Sequence, residues 1–201
     1  VSPFTRTDYF QSFSRWRGTD AVESWSWEGC EGKKASVTIY SDADKIELLV
    51  NGKSAGKKKP KKDIAKFRKI PYEAGKIEAI AYDSSGKETA RTTLVSATGK
   101  TSIKLTPETT NLCANGQDLC FLNIDLIGEN GITKSSVDQE LKIEISGPAT
   151  LQGYGSARPN VEESFCNDTF KSFYGKSLAV IRADYEPGTV TVQVSGRGLD
   201  T

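Results

Sequence analysis

The sequence predicts an all-β chain of two tandem antiparallel β-sandwich domains behind a short N-terminal helical or linker segment. Three observations predict it. Runs of alternating apolar and polar residues recur at short spacing between Ser36 and Ser195, and a period of two marks strands with one face on a core. Clusters of Gly, Asn, Asp and Ser separate those runs, as tight turns require. A helical period of apolar residues stands out only near the N-terminus. Many short strands with glycine turns belong to a sheet-on-sheet architecture.

The elements divide into residues 1–21, a helix or linker; 22–97, a first sandwich; and 98–201, a second. In residues 4–17, Tyr9, Phe13 and Trp16 fall at i, i+4 and i+7, on one face of a helix. Asp8 is placed to cap it and Gly18 to end it. In the first sandwich the strand signals are Ser36–Tyr40, Lys45–Val50, Phe67–Ile70, Lys76–Tyr82 and Thr89–Val95. Asn51-Gly52 directly follows the second of these and supplies the two positive-φ residues of a type I′ hairpin. The run Lys57–Lys62, K-K-K-P-K-K, has a central Pro and reads as a guarded sheet edge; it lacks the interleaved aromatics of a nucleic-acid groove. Ala97-Thr98-Gly99-Lys100 is small and polar and reads as the boundary. The second sandwich follows with Ser102–Leu105, Leu119–Ile127, Leu141–Ser146, Leu178–Asp184 and Thr189–Ser195. The turn Tyr72-Glu73-Ala74-Gly75 of the first half is echoed by Tyr185-Glu186-Pro187-Gly188 in the second.

Composition excludes several function classes. At 201 residues the chain is too short for a complete (β/α)₈ barrel, which takes roughly 250. Lys and Arg number 27 against 26 Asp and Glu, so no field draws a nucleic acid. No apolar run reaches the ~20 residues of a membrane span, and the first residues lack the apolar core of a signal peptide. The chain has no Met, even at position 1, which fits a processed or excised piece.

The chain has no His, which removes Ser-His-Asp and Cys-His chemistry. The four cysteines, at 30, 113, 120 and 166, show no C-x-x-C spacing, so neither a zinc site nor any other cofactor is expected. Cys120 shares a strand face with Leu122, Ile124 and Leu126 and reads as a core residue. A disulfide through Cys113 or Cys166 stays open. Asn167-Asp168-Thr169 matches the glycosylation acceptor pattern. Carboxylate pairs such as Asp42/Asp44 and Glu162/Glu163 read as solvated loops. The candidate contact residues are the three tryptophans, Trp16, Trp25 and Trp27. Their rings can stack on a sugar face or fill a seam between domains, and packing is the expected use.

Five segments carry distinctive wording: Glu23–Gly29 (E-S-W-S-W-E-G), Tyr40–Lys53 (Y-S-D-A-D-K-I-E-L-L-V-N-G-K), the stretch from Leu105 to Phe121 containing T-P-E-T-T-N-L-C-A-N-G-Q-D-L-C-F, Ile145–Gly155 (I-S-G-P-A-T-L-Q-G-Y-G) and Tyr174–Arg182 (Y-G-K-S-L-A-V-I-R). Together they resemble the C-terminal region of bacterial glycoside hydrolase family 2 enzymes of the β-galactosidase type. The resemblance implies immunoglobulin-like sandwiches and a bacterial source, either cytoplasmic or exported. It also implies that residues 1–21 are the end of a catalytic barrel's last helix and its exit linker. That barrel, in the same parent chain, is then the expected partner. The two catalytic glutamates of a retaining glycosidase would lie upstream of Val1, so no catalytic residue is expected in this chain. After Gly153 the sequence Tyr154-Gly155-Ser156-Ala157-Arg158-Pro159 departs from the Asn-Gly-Asp-Pro-type loop of the family. Two other readings stand beside the accessory region: an independent carbohydrate-binding module, motivated by the tryptophan pair, and a fragment of an Ig-like surface adhesin, allowed by the last domain.

Overall fold

The computed structural model describes residues 21–159 and 161–199. The helical reading of residues 4–17, with Trp16, lies outside them. Among the described residues every regular element is a β-strand, all pairing is antiparallel, and no helix is long and apolar enough to cross a membrane. The chain divides between Ser96 and Ala97 into two compact units.

Unit 1 contains β1 (Lys34–Tyr40), β2 (Lys45–Val50), β3 (Lys53–Lys58), β4 (Ile64–Pro71), β5 (Lys76–Tyr82) and β6 (Glu88–Val95). They form a four-stranded sheet in the order β3-β2-β5-β6 and a two-stranded sheet β1-β4. Alternation sets the faces. Ile46, Leu48 and Val50 of β2 and Ile77 and Ala81 of β5 turn inward, towards buried Ala35, Val37, Ala65 and Phe67 of the smaller sheet. Each large apolar side chain so buried contributes about 1.5–3 kcal/mol. The β2–β3 hairpin has the two-residue loop its sequence predicts: Asn51 and Gly52 take φ of 48° and 78°, and Val50 pairs with Lys53. The lysine run begins on β3, at the edge of the sheet. There the Lys57 ammonium reaches Glu47 at 3.0 Å and the Lys58 ammonium lies 5.2 Å from the Phe67 ring centre.

The outer face of the larger sheet is an ionic lattice. Glu47 accepts hydrogen bonds from the Ser54 hydroxyl (2.7 Å) and the Tyr82 phenol (2.9 Å) besides meeting Lys57. Glu78 lies 3.0 Å from Lys76 and 3.1 Å from Arg91. The Ser54 hydroxyl first, then Lys57 and Tyr82, hold the Glu47 carboxyl below the ordinary glutamate value of 4.5. Lys76 first, then Arg91, do the same for Glu78. A carboxyl with a lowered folded-state pKa gives stability that is complete above its unfolded value and is lost as the pH falls through the folded one. The melting temperature of unit 1 is therefore expected to fall below a pH of about 4.5. A Glu47→Gln/Glu78→Gln variant, followed by tryptophan fluorescence, is expected to show a flatter fall.

Unit 2 contains β7 (Ser102–Pro107), β8 (Leu119–Ile127), β9 (Glu140–Ser146), β10 (Ala149–Gly155), β11 (Thr169–Lys171), β12 (Lys176–Ala183) and β13 (Thr191–Gly196). A four-stranded sheet β10-β12-β8-β7 faces a three-stranded sheet β11-β9-β13. Cys120, Leu122, Ile124 and Leu126 of β8 pack with Leu141, Ile143, Tyr154, Phe170, Ile181 and Val194 in one core. Cys120 is thus a core residue, and its thiol donates to the Thr109 carbonyl at 3.2 Å. All four cysteines are free thiols. The spacer-like residues 97–100 are bound into unit 2: Thr98 N–H donates to Asn130, Lys100 N–H to Glu129, and the Lys134 ammonium to the Gly99 carbonyl at 2.7 Å.

Candidate anchoring site in unit 1

Trp25 and Trp27 both have 0% exposure. They sit in the irregular segment before β1 and are fixed through their polar edges. The Trp25 indole N–H donates to the Glu73 carbonyl at 3.0 Å, and that of Trp27 to the Ser24 carbonyl at 3.2 Å. Buried indoles need such partners. The Trp25 ring meets Tyr72 edge-on, with centroids 5.0 Å apart and planes at 64°.

Tyr72 is the hub. It follows β4 and is 1% exposed. Its backbone N–H donates to the Lys33 carbonyl and its carbonyl accepts from Gly32, which extends the β1–β4 pairing by one step. Its phenol oxygen accepts the Trp27 backbone N–H at 3.0 Å and lies 3.2 Å from the Ser96 hydroxyl. The buried Ser96 hydroxyl in turn donates to the Trp25 carbonyl and accepts the Gly75 N–H. Ser96 immediately follows β6. The segment that enters unit 1 is therefore hydrogen-bonded directly to the residue at which the chain leaves it.

The turn between β4 and β5 supports this clasp. Gly75 takes φ of +129°, and a Cβ there would lie 2.1 Å from the Asn51 side-chain oxygen, so glycine is required. That oxygen accepts the Lys76 N–H at 2.8 Å, and the Asn51 amide donates to the Ala74 carbonyl at 3.1 Å. Asn51 thus serves its own hairpin and the clasp.

The echo in unit 2 differs. Tyr185 is 74% exposed and covers Gly116, where an added Cβ would fall 2.5 Å from its ring. The repeated turn sequence carries a buried hub in one unit and a surface lid in the other.

Both described tryptophans are buried inside unit 1. Sequence reasoning missed Tyr72 and Ser96. The echoed Tyr-Glu-x-Gly turn pointed to Tyr72, and nothing marked Ser96 among the other serines. Among the described residues no group of three or more His, Cys, Asp or Glu is arranged to hold a metal. Among the described residues the buried carboxylates are Glu47 and Glu78, both pushed down in pKa. Both are ionised at neutral pH and held by the basic and hydroxyl groups of the outer face.

Comparison with known proteins follows the same division of the chain. Residues 103–201 match the family described as Glycoside hydrolase family 2 C-terminal domain 5, and residues 32–90 match a domain of unknown function, DUF4982. A beta-galactosidase of Bacteroides ovatus, BoGH2A, is 30% identical over 206 residues, which cover 99% of this chain and 24% of that protein. A putative beta-glucuronidase of Formosa agariphila is 26% identical over 202 residues, 96% of this chain and 19% of that protein. Among solved structures, a glycosyl hydrolase family 2 member from Bacteroides cellulosilyticus is 31% identical with a TM-score of 0.86, covering 100% of this chain and 26% of that one. A beta-glycosidase from Bacteroides vulgatus is 30% identical with a TM-score of 0.76, covering 89% and 23%. The chain spans about a quarter of the length of such relatives, or less.

Proposed function

We propose, from the premise that residues 103–201 belong to the glycoside hydrolase family 2 C-terminal domain 5 family, that the chain is the non-catalytic C-terminal accessory region of a bacterial family 2 glycosidase. Its role is to brace the catalytic barrel or the oligomer that the barrel forms. The observation that carries this reading is the clasp in unit 1. Trp25 on the incoming segment and Ser96 on the outgoing one are hydrogen-bonded to each other, with Tyr72 between them. A region attached through such a clasp holds its incoming segment by buried rings and hydrogen bonds. A flexible tether would instead leave that segment solvated.

The parent enzyme, on this reading, hydrolyses β-galactosides. Both relatives match nearly the whole chain, and the higher identity to BoGH2A, 30% against 26%, supports that choice over a glucuronide. The test compares two proteins with chromogenic β-galactoside and β-glucuronide substrates. The isolated chain is expected to turn over neither. The full-length polypeptide that carries it is expected to prefer the galactoside. Turnover by a clean preparation of the isolated chain overturns the accessory role. A preference for the glucuronide overturns only the choice of substrate.

A further inference from the structure

The two sheets of unit 1 are unequal: four strands face two, where an immunoglobulin-type sandwich sets four against three. Among the described strands, β1 pairs only with β4, and β6 pairs only with β5. Among the described residues no strand covers the inner face of β6 beside the free edge of β1. Between them runs a slot of about 780 Å³, lined by Val37, Ile39, Leu48, Ile77, Thr92 and Leu94. Ile39 and Leu94 are only half-buried within it, and Tyr40 at the end of β1 is 74% exposed. An open apolar slot with two unpaired strand edges is a surface that soluble proteins cover.

We infer that this slot is the seat of the catalytic portion of the glycosidase, the polypeptide that precedes unit 1; this rests on the accessory-region reading above. Two observations single out that occupant. Ala21, Val22 and Glu23 themselves line the slot, so whatever is joined to their N-terminal side is delivered to its mouth. An occupant joined in the same polypeptide meets the slot intramolecularly, which favours it over a free partner. The matched family is a C-terminal domain, and the relatives carry about three quarters of their length outside the matched region. The surface facing the slot would be apolar, bordered by backbone groups able to pair with β1 or β6.

The experiment places Leu94→Arg in the isolated chain and in the full-length glycosidase that carries it. Leu94 is on an edge strand and half-buried, so the isolated chain tolerates the arginine by extending it to solvent. Its melting temperature is expected to change by about 1 °C or less, while that of the full-length enzyme falls by about 3 °C or more. Hydrogen exchange on the unaltered proteins supplies an independent reading. Amides of Val37–Tyr40 and Thr92–Leu94 are expected to exchange at least tenfold more slowly in the full-length enzyme. Equal losses in both proteins, with no added protection, overturn the inference and leave the accessory role standing. A concentration-dependent dimer of the isolated chain that Leu94→Arg abolishes also overturns it, because the slot then belongs to a second copy. If no part of either unit gains protection or stability in the full-length enzyme, the accessory reading itself fails.

Discussion

Replacing Trp25 by Ala is expected to lower the stability of unit 1 by about 3–5 kcal/mol, the range for deleting a buried aromatic ring. Three losses combine. The fully buried ring leaves a void beside Tyr72. The Glu73 carbonyl loses its indole donor. The incoming segment keeps its backbone bonds to Tyr72 and Ser96 but loses the buried ring that packs beside them. All the tryptophans of the chain lie at positions 16, 25 and 27, so fluorescence reads the unit 1 side of the molecule. In Trp25→Ala the signal of the two remaining tryptophans is expected to shift at a lower urea concentration than in the unaltered protein, with the unit 2 transition unmoved in circular dichroism. A change below about 1 kcal/mol would mean that the clasp does not hold unit 1 together.

Leu126→Ala is expected to do the converse. Leu126 is 0% exposed on β8, which is paired on both sides by β7 and β12. Its backbone N–H also donates to the Gly175 carbonyl at 2.7 Å, and its carbonyl accepts from Lys134 at 2.8 Å. With the backbone so fixed, the core cannot collapse around the missing side chain, and the loss is expected at about 2–5 kcal/mol. The fluorescence transition of unit 1 should stay in place while part of the circular-dichroism transition moves to lower urea. A single transition that moves as a whole would mean that the units unfold together.

Much of the fold was legible because alternation wrote it. β2, β5 and β8 begin and end where their apolar periods do, at Lys45–Val50, Lys76–Tyr82 and Leu119–Ile127. The strands that were missed lack that signal. β3 is K-S-A-G-K-K, with no apolar stripe; it is a strand because the Asn51-Gly52 turn delivers it to β2. β10 is A-T-L-Q-G-Y-G, and its register shifts between Leu151 and Gly153, which breaks the period. β11 has three residues and exists through its pairing with β9. The candidate site was legible in part. Two tryptophans in E-S-W-S-W-E-G marked the segment, but sequence could not say which way the rings face. That depends on Tyr72 and Ser96, which are 47 and 71 residues from Trp25, and contacts at such separation are fixed by the closed sandwich.

A region that braces a catalytic portion without chemistry of its own is expected to reveal itself when it is removed. The most direct measurement is the inactivation half-life of the full-length glycosidase, with and without the residues from Ala21 onward, at a temperature where the intact enzyme loses activity over an hour. Removal is expected to shorten the half-life by about tenfold or more, equivalent to about 1.4 kcal/mol, while the initial kcat is largely kept. An unchanged half-life would contradict it.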